Sequence, residues 1–200
     1  MSADIFIIGL GNPGREYCFS RHNFGFMAID AFFKKNDFPK FIRKKNYLVS
    51  NKVISDKNVY LVKPLTFMNL SGKAVKGVIN GAGIFNISDY DADNSNLILI
   101  HDDLDLSFGT YKIKFGGSGG SHNGVNSVIT SLRSKNFIRI KLGINSSERV
   151  EFSVGADYVL SNFLKNEIRE MPDILNTINE ILSVFIEEGI MKAMNNFNRK

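Results

Sequence analysis

The chain has 200 residues, of which 44% are apolar and 22% charged, the balance of an ordinary globular domain and not of a disordered chain. No apolar run approaches the ~20 residues of a membrane span, no signal-peptide pattern opens the chain, and the single Cys18 cannot form an internal disulfide, so a cytoplasmic protein is expected. The net charge of +5 and pI of about 9.2 favour an anionic partner, with a local excess at Lys34, Lys35, Lys40, Arg43, Lys44, Lys45 and Lys52, although a solvated surface is the plainer account of that run taken alone.

Asp4–Ile8 reads as a buried strand ending in an Asn-Pro-Gly turn. Asn23–Phe33 carries apolar residues at helical spacing, and Tyr47–Ser55 with Asn58–Lys63 reads as two strands joined by a polar turn. Leu70–Ile84 suits a glycine-weakened helix, opened by Asn69 or Ser71 as a cap. Ser88–Asn96 is polar enough for a surface loop, followed by a short strand, Leu97–His101, that ends in acidic residues. Tyr111–Phe115 alternates as a strand into a Gly/Ser-rich loop, Asn126–Leu132 is helical, and Ile138–Ile144 alternates again. The remainder is helical, with Pro172 placed to open the last helix and Ile174, Ile178, Ile181, Leu182 and Phe185 on one stripe. Helices interspersed among strands, with no repeat or linker, predict a single three-layer α/β domain over residues 1–200, a twisted mixed central sheet flanked by helices.

Gly9-Leu10-Gly11-Asn12-Pro13-Gly14 matches the dinucleotide-binding pattern G-x-G-x-x-G. That fold also needs a helix starting inside the motif and an acidic strand end about 20 residues on. Neither is present, since the helical pattern begins near Asn23 and Asp30 lies within it. The turn instead holds the Asn12 amide, a donor and an acceptor, at the carboxyl end of a strand, where open α/β sheets bind ligands; a plain turn fits equally. His22 suits proton transfer near neutral pH if it has a partner. Asp102, at the end of the Leu97–Ile100 run, offers one that would fix the ring tautomer and stabilise the imidazolium. A metal site or a solvated acidic turn are the rivals for the Asp102, Asp103 and Asp105 segment, though neighbouring strand residues point to opposite faces. Gly116–Gly120 satisfies the G-x-S-x-G nucleophile pattern around Ser118, but His122 is too near in sequence to serve as its distant partner, and no Gly-Lys-Ser/Thr ending marks a nucleotide loop. Asn69 and Asn123, at two helix starts, are either caps or donors for a developing oxyanion.

Six segments in this order are highly specific together: the Gly9–Gly14 turn, Glu16-Tyr17, Arg21-His22-Asn23 with Gly25, Thr66-Phe67-Met68-Asn69 with Ser71-Gly72, His101-Asp102 with Leu104-Asp105, and His122-Asn123-Gly124. They resemble the bacterial-type peptidyl-tRNA hydrolases nearly end to end. The resemblance implies a monomeric α/β enzyme that cuts the ester between a peptide and the terminal ribose of tRNA, with no metal or organic cofactor. By it His22 is the general base for water, Asp102 stabilises its active form, and Asn12 helps to sense a peptide-blocked amino group. Tyr17, Phe67, Asn69 and Asn123 line the substrate crevice with Met68 beside them, and Lys114 and Lys141 hold the tRNA 5′-phosphate. The family usually carries Arg where Lys141 stands and Gly where Ser121 stands, and lysine loses the bidentate fork of arginine. A non-catalytic RNA-binding protein on the same fold is the alternative.

Overall fold

A computed structural model describes residues 4–81, 96–147, 149 and 155–198, so the polar stretch Ser88–Asn96 lies, apart from Asn96, outside the described residues. Among the described residues seven strands form one sheet: β1 (Asp4–Gly9), β2 (Ile42–Arg43), β3 (Tyr47–Ile54), β4 (Lys57–Pro64), β5 (Leu97–Ser107), β6 (Tyr111–Phe115) and β7 (Ile138–Asn145), in the order β2-β3-β4-β1-β5-β7-β6. The four central strands are parallel, and β2, β3 and β6 add antiparallel edges, which makes the sheet mixed.

β1 and the first half of β5 are apolar on both faces because helices cover both faces, whereas β7 carries Arg139 and Lys141 on one of its faces. In β1, Ile5 and Ile7 enter one core with Phe24, Ile29 and Phe32, while Phe6 and Ile8 enter a second with Val75, Val78, Val125 and Val128. The first core lies under α1 (Phe24–Lys35), α4 (Gly155–Leu160), α5 (Lys165–Glu188) and α6 (Ile190–Phe197). The second lies under α2 (Ser71–Gly81) and α3 (Asn123–Leu132). Three layers result. Among the described residues no helix is long and apolar enough to cross a membrane.

The expected β3–β4 hairpin is present and turns on Ser55 and Asp56, both at positive φ (48° and 60°), the conformation a two-residue loop needs to match strand twist. Three local features differ from the sequence reading. β5 continues through its acidic residues to Ser107, because β7 supplies hydrogen-bonding partners as far as Gly143 and, beyond a bulge, Asn145. β2 is only two residues long and exists through its pairing with β3. Pro172 does not open a helix: it sits inside the 24-residue α5. It is exposed, so the carbonyl it leaves without a donor is available to water, while buried Met171, Ile174 and Ile178 hold the helix on the sheet.

All four parallel strands end at the same edge. The chain leaving β1 there passes through two single 3-10 turns, Arg15–Tyr17 and Arg21–Asn23, before α1 begins at Phe24. No helix starts inside the glycine motif, which removes the dinucleotide reading. Its glycines, with Gly25, serve close approach: a Cβ on Gly9 would strike the Gly25 carbonyl, and one on Gly25 would strike the Ile100 carbonyl and the Leu10 amide. The start of α1 thus sits directly on the β1 and β5 backbones, which brings His22 against the middle of β5, at Asp102.

Candidate active site

The turn that carries His22 is locked from below by its neighbour Arg21, which is 1% exposed. Its guanidinium bonds Glu167 at 2.7 Å and Ser161 Oγ at 2.8 Å, and lies over the Tyr158 ring at 4.4 Å. A buried charge is tolerable only when an opposite charge and hydrogen bonds meet it in this way. Glu167 also accepts the backbone N–H of Leu164 at 2.7 Å, so one ion pair ties the His22 turn to the start of α5.

His22 and Asp102 meet as the sequence reading requires. The ring Nδ1 lies 2.9 Å from both carboxylate oxygens of Asp102, whose side chain is 2% exposed. Asp102 enters from β5 on the α1 side of the sheet, the face shared by Ile98 and Ile100. Nδ1–H donates to the carboxylate, so Nε2 of a neutral His22 keeps its lone pair, with no partner among the described residues. Burial alone would raise the Asp102 carboxyl, but the imidazoles of His122 and His22 pull it well below the usual carboxylate range.

His122 is the residue the sequence reading missed. Its Nε2 lies 3.0 Å from Asp102 Oδ1, while its Nδ1 accepts the backbone N–H groups of Gly124 and Val125 at 3.1 and 3.3 Å and so caps α3. His101 packs edge-on against that ring, 4.8 Å between centroids, and donates Nδ1–H to the Asp102 carbonyl at 2.7 Å. Burial, helped by His122, pushes His101 down to about 3, so it is neutral at working pH. His22, Asp102 and His122 bring ligand atoms within 4.8 Å of one another, close enough for a cation to be considered. The tautomer of His122 opposes one. With Nδ1 committed to two N–H donors, a metal on Nε2 would have to strip the ring of its remaining proton.

Asn12 is fixed from three sides. Its backbone N–H donates to Asn23 Oδ1 at 2.7 Å, its carbonyl accepts from Asn23 Nδ2 at 3.0 Å, and its own Oδ1 accepts the Met68 backbone N–H at 2.8 Å. The side-chain oxygen being used, the Nδ2 donors remain for the cleft.

These groups open on a cleft of about 700 Å³. It is lined by Asn12, His22, Phe67, Met68, Asn69, Asp102, Lys114, Asn123 and Lys141 from the sequence reading; Tyr17, in the first 3-10 turn, is outside the lining. Asn69 and Asn123 are exposed, and neither caps a helix with its side chain: α3 is capped by His122, and Asn69 lies within the 3-10 turn before α2. Lys114 on β6 is exposed, whereas Lys141 on β7 is partly buried in an ion pair with Asp103. Ser118 is no nucleophile elbow. It is exposed in a loop whose carbonyls at Gly116, Gly117 and Ser118 all accept from the buried Arg139 guanidinium, with α3 starting only at Asn123. Arg139 and Arg149 line the cleft with the two lysines, beside Asp103 and Asp105.

The peptidyl-tRNA hydrolase family model matches residues 6–200. The peptidyl-tRNA hydrolase of Thermodesulfovibrio yellowstonii is 42% identical over 98% of this chain and 99% of its own, and that of Finegoldia magna is 40% identical over 97% of each. The solved peptidyl-tRNA hydrolase of Acinetobacter baumannii superposes with a TM-score of 0.83 at 29% identity, covering 99% of this chain and 96% of that one. With a family match of this extent and relatives similar over nearly their full length, the chain belongs to the peptidyl-tRNA hydrolase family.

Proposed function

We propose that the chain hydrolyses the ester joining a peptide to the terminal ribose of tRNA, with His22 as the base that activates water. The observation that carries this reading is the His22–Asp102 pair, which leaves the lone pair of Nε2 on the cleft side within a fold whose relatives bear that enzyme name. Water gives its proton to Nε2 as it attacks the ester carbonyl, and Asp102 stabilises the imidazolium that forms. The same proton then passes to the departing ribose oxygen, so no cofactor enters the balance. Amide donors from Asn69 and Asn123 meet the developing oxyanion, each worth roughly 100- to 1,000-fold in rate. Asn12 Nδ2 donates to the acyl carbonyl of a blocked amino group; the bare ammonium of an aminoacyl-tRNA offers no acceptor there. Phe67 and Met68 supply apolar wall for the peptide.

Lys114 and Lys141 take the tRNA phosphate, supported by Arg139 and Arg149 on the same wall. Lys141 already faces Asp103, so phosphate competes with a carboxylate for it. On this reading the enzyme acts as a cytoplasmic monomer. The test is release of deacylated tRNA from N-acetyl-aminoacyl-tRNA, beside unblocked aminoacyl-tRNA. The wild type cleaves the blocked substrate in preference, and His22→Ala loses about 100- to 10,000-fold in turnover while still binding it. Wild-type rates in that variant would end the base assignment, and binding without any cleavage by the native chain would favour the RNA-binding alternative.

A further inference from the structure

We infer that His122 is a positioning residue that sets the strength of the His22 base by sharing the carboxylate both rings hold. The inference rests on His22 being that base. Asp102 Oδ1 accepts from His22 Nδ1–H at 2.9 Å and from His122 Nε2–H at 3.0 Å, and the two ring centroids are 4.9 Å apart. The direction of the second bond is fixed from the far side of the ring. Because Nδ1 of His122 accepts the Gly124 and Val125 N–H groups, the proton of the neutral ring must sit on Nε2, facing Asp102.

A carboxylate that serves a second donor has less negative potential left for the imidazolium of His22. His122 therefore favours the neutral, water-activating form of His22 at lower pH than an unshared Asp102 would allow. The other titratable groups near Asp102 do not bond its carboxylate. His101 donates to its carbonyl, Asp103 pairs with Lys141, and Arg21 pairs with Glu167. Only His22 and His122 bond its carboxylate among the described residues. His122 also ends the glycine-rich loop that Arg139 pins, so that loop is tied to the same carboxylate as the base.

His122→Asn separates the two roles of this side chain. Asparagine places Oδ1 where Nδ1 was, which keeps the α3 cap, but nothing extends to Asp102. The acid limb of the kcat/KM profile with N-acetyl-aminoacyl-tRNA should move up by about one pH unit, the size of one net hydrogen bond. The rate deficit is then about tenfold below the limb and shrinks as pH rises. His122→Gln, long enough to offer an amide N–H to Asp102, should bring the limb back toward wild type, while His122→Met, of equal length and no donor, should not. A role confined to capping would lower the rate by one factor at every pH. An unmoved limb in a folded His122→Asn enzyme overturns the inference, and if that variant fails to fold, Gln and Met variants with the same limb do so. Undiminished rates for His22→Ala would instead remove the base, a distinct failure.

Discussion

Acid should weaken this fold through His101, a residue whose stability cost follows from its burial. The ring is 2% exposed, gives Nδ1–H to the Asp102 carbonyl, and has no partner for Nε2 among the described residues. Burial first, and His122 second, lower it from 6.5 to about 3. Its folded value lies below its unfolded one, so between those two pH values the unfolded chain binds one more proton and stability rises with pH. Full stability is present above about 6.5 and is lost progressively toward about 3. The loss relative to pH 7.5 amounts to about 2 kcal/mol at pH 5 and about 3 kcal/mol at pH 4. Asp102 does not confuse the upper part of this window. Its carboxyl is held below the ordinary value, so its contribution is complete above about pH 4 and lost only below. His101→Asn keeps an N–H for the Asp102 carbonyl and removes the titrating ring. Urea denaturation at pH 7.5, 6, 5.5 and 5 should give a steeper fall for the wild type, with the two stabilities converging by about 2 kcal/mol at pH 5. Parallel stability curves for the two proteins over that range would refute the reasoning.

Two further substitutions probe the cleft. Asn12→Asp keeps an oxygen for the Met68 N–H but replaces the amide donors with charge, so kcat/KM on N-acetyl-aminoacyl-tRNA should fall about 100-fold and the preference over unblocked substrate should narrow; paired hydrolysis assays read both, and an unchanged ratio would contradict the assigned selectivity. Removing Lys114 or Lys141 should raise the tRNA concentration required and flatten the salt dependence by about 0.7 to 0.9 in log–log slope each. Lys141→Ala should cost more than Lys114→Ala because it strands the Asp103 carboxylate, and adding Asp103→Asn should recover part of that excess; binding titrations at several salt concentrations that leave the slope unchanged would place the phosphate elsewhere.

The layers of the fold were legible because its dominant signal is chemical and local. Strands buried on both faces must be continuous apolar runs, and β1 and the start of β5 are written that way, whereas β7 alternates. Acidic residues hid the second half of β5, whose strand geometry depends on β7 and not on its own composition. Pro172 hid the continuity of α5 for a similar reason: the local rule stops a helix there, while the buried residues around it carry the helix on. Arg139 alternates correctly in its strand, which reads as a solvated position; the glycine-rich loop that closes over it comes from a different part of the chain. Arg21 and Glu167 stand 146 residues apart, and no periodicity joins them.

The site follows the same division. His22, Asp102 and the asparagines could be nominated by residue type and by their place at strand and helix ends. What sequence could not show is that all three histidines of the chain bond to one residue. His22 and His122 hold the Asp102 carboxylate, and His101 holds its backbone carbonyl. Each tautomer is settled by the acceptor or donor it meets: a carboxylate for His22, two backbone N–H groups for His122, and a carbonyl for His101. Proton positions at the catalytic edge are therefore set largely by backbone groups, which substitution of side chains leaves in place. That is why exchanging a single ring should retune this site in pH before it dismantles it.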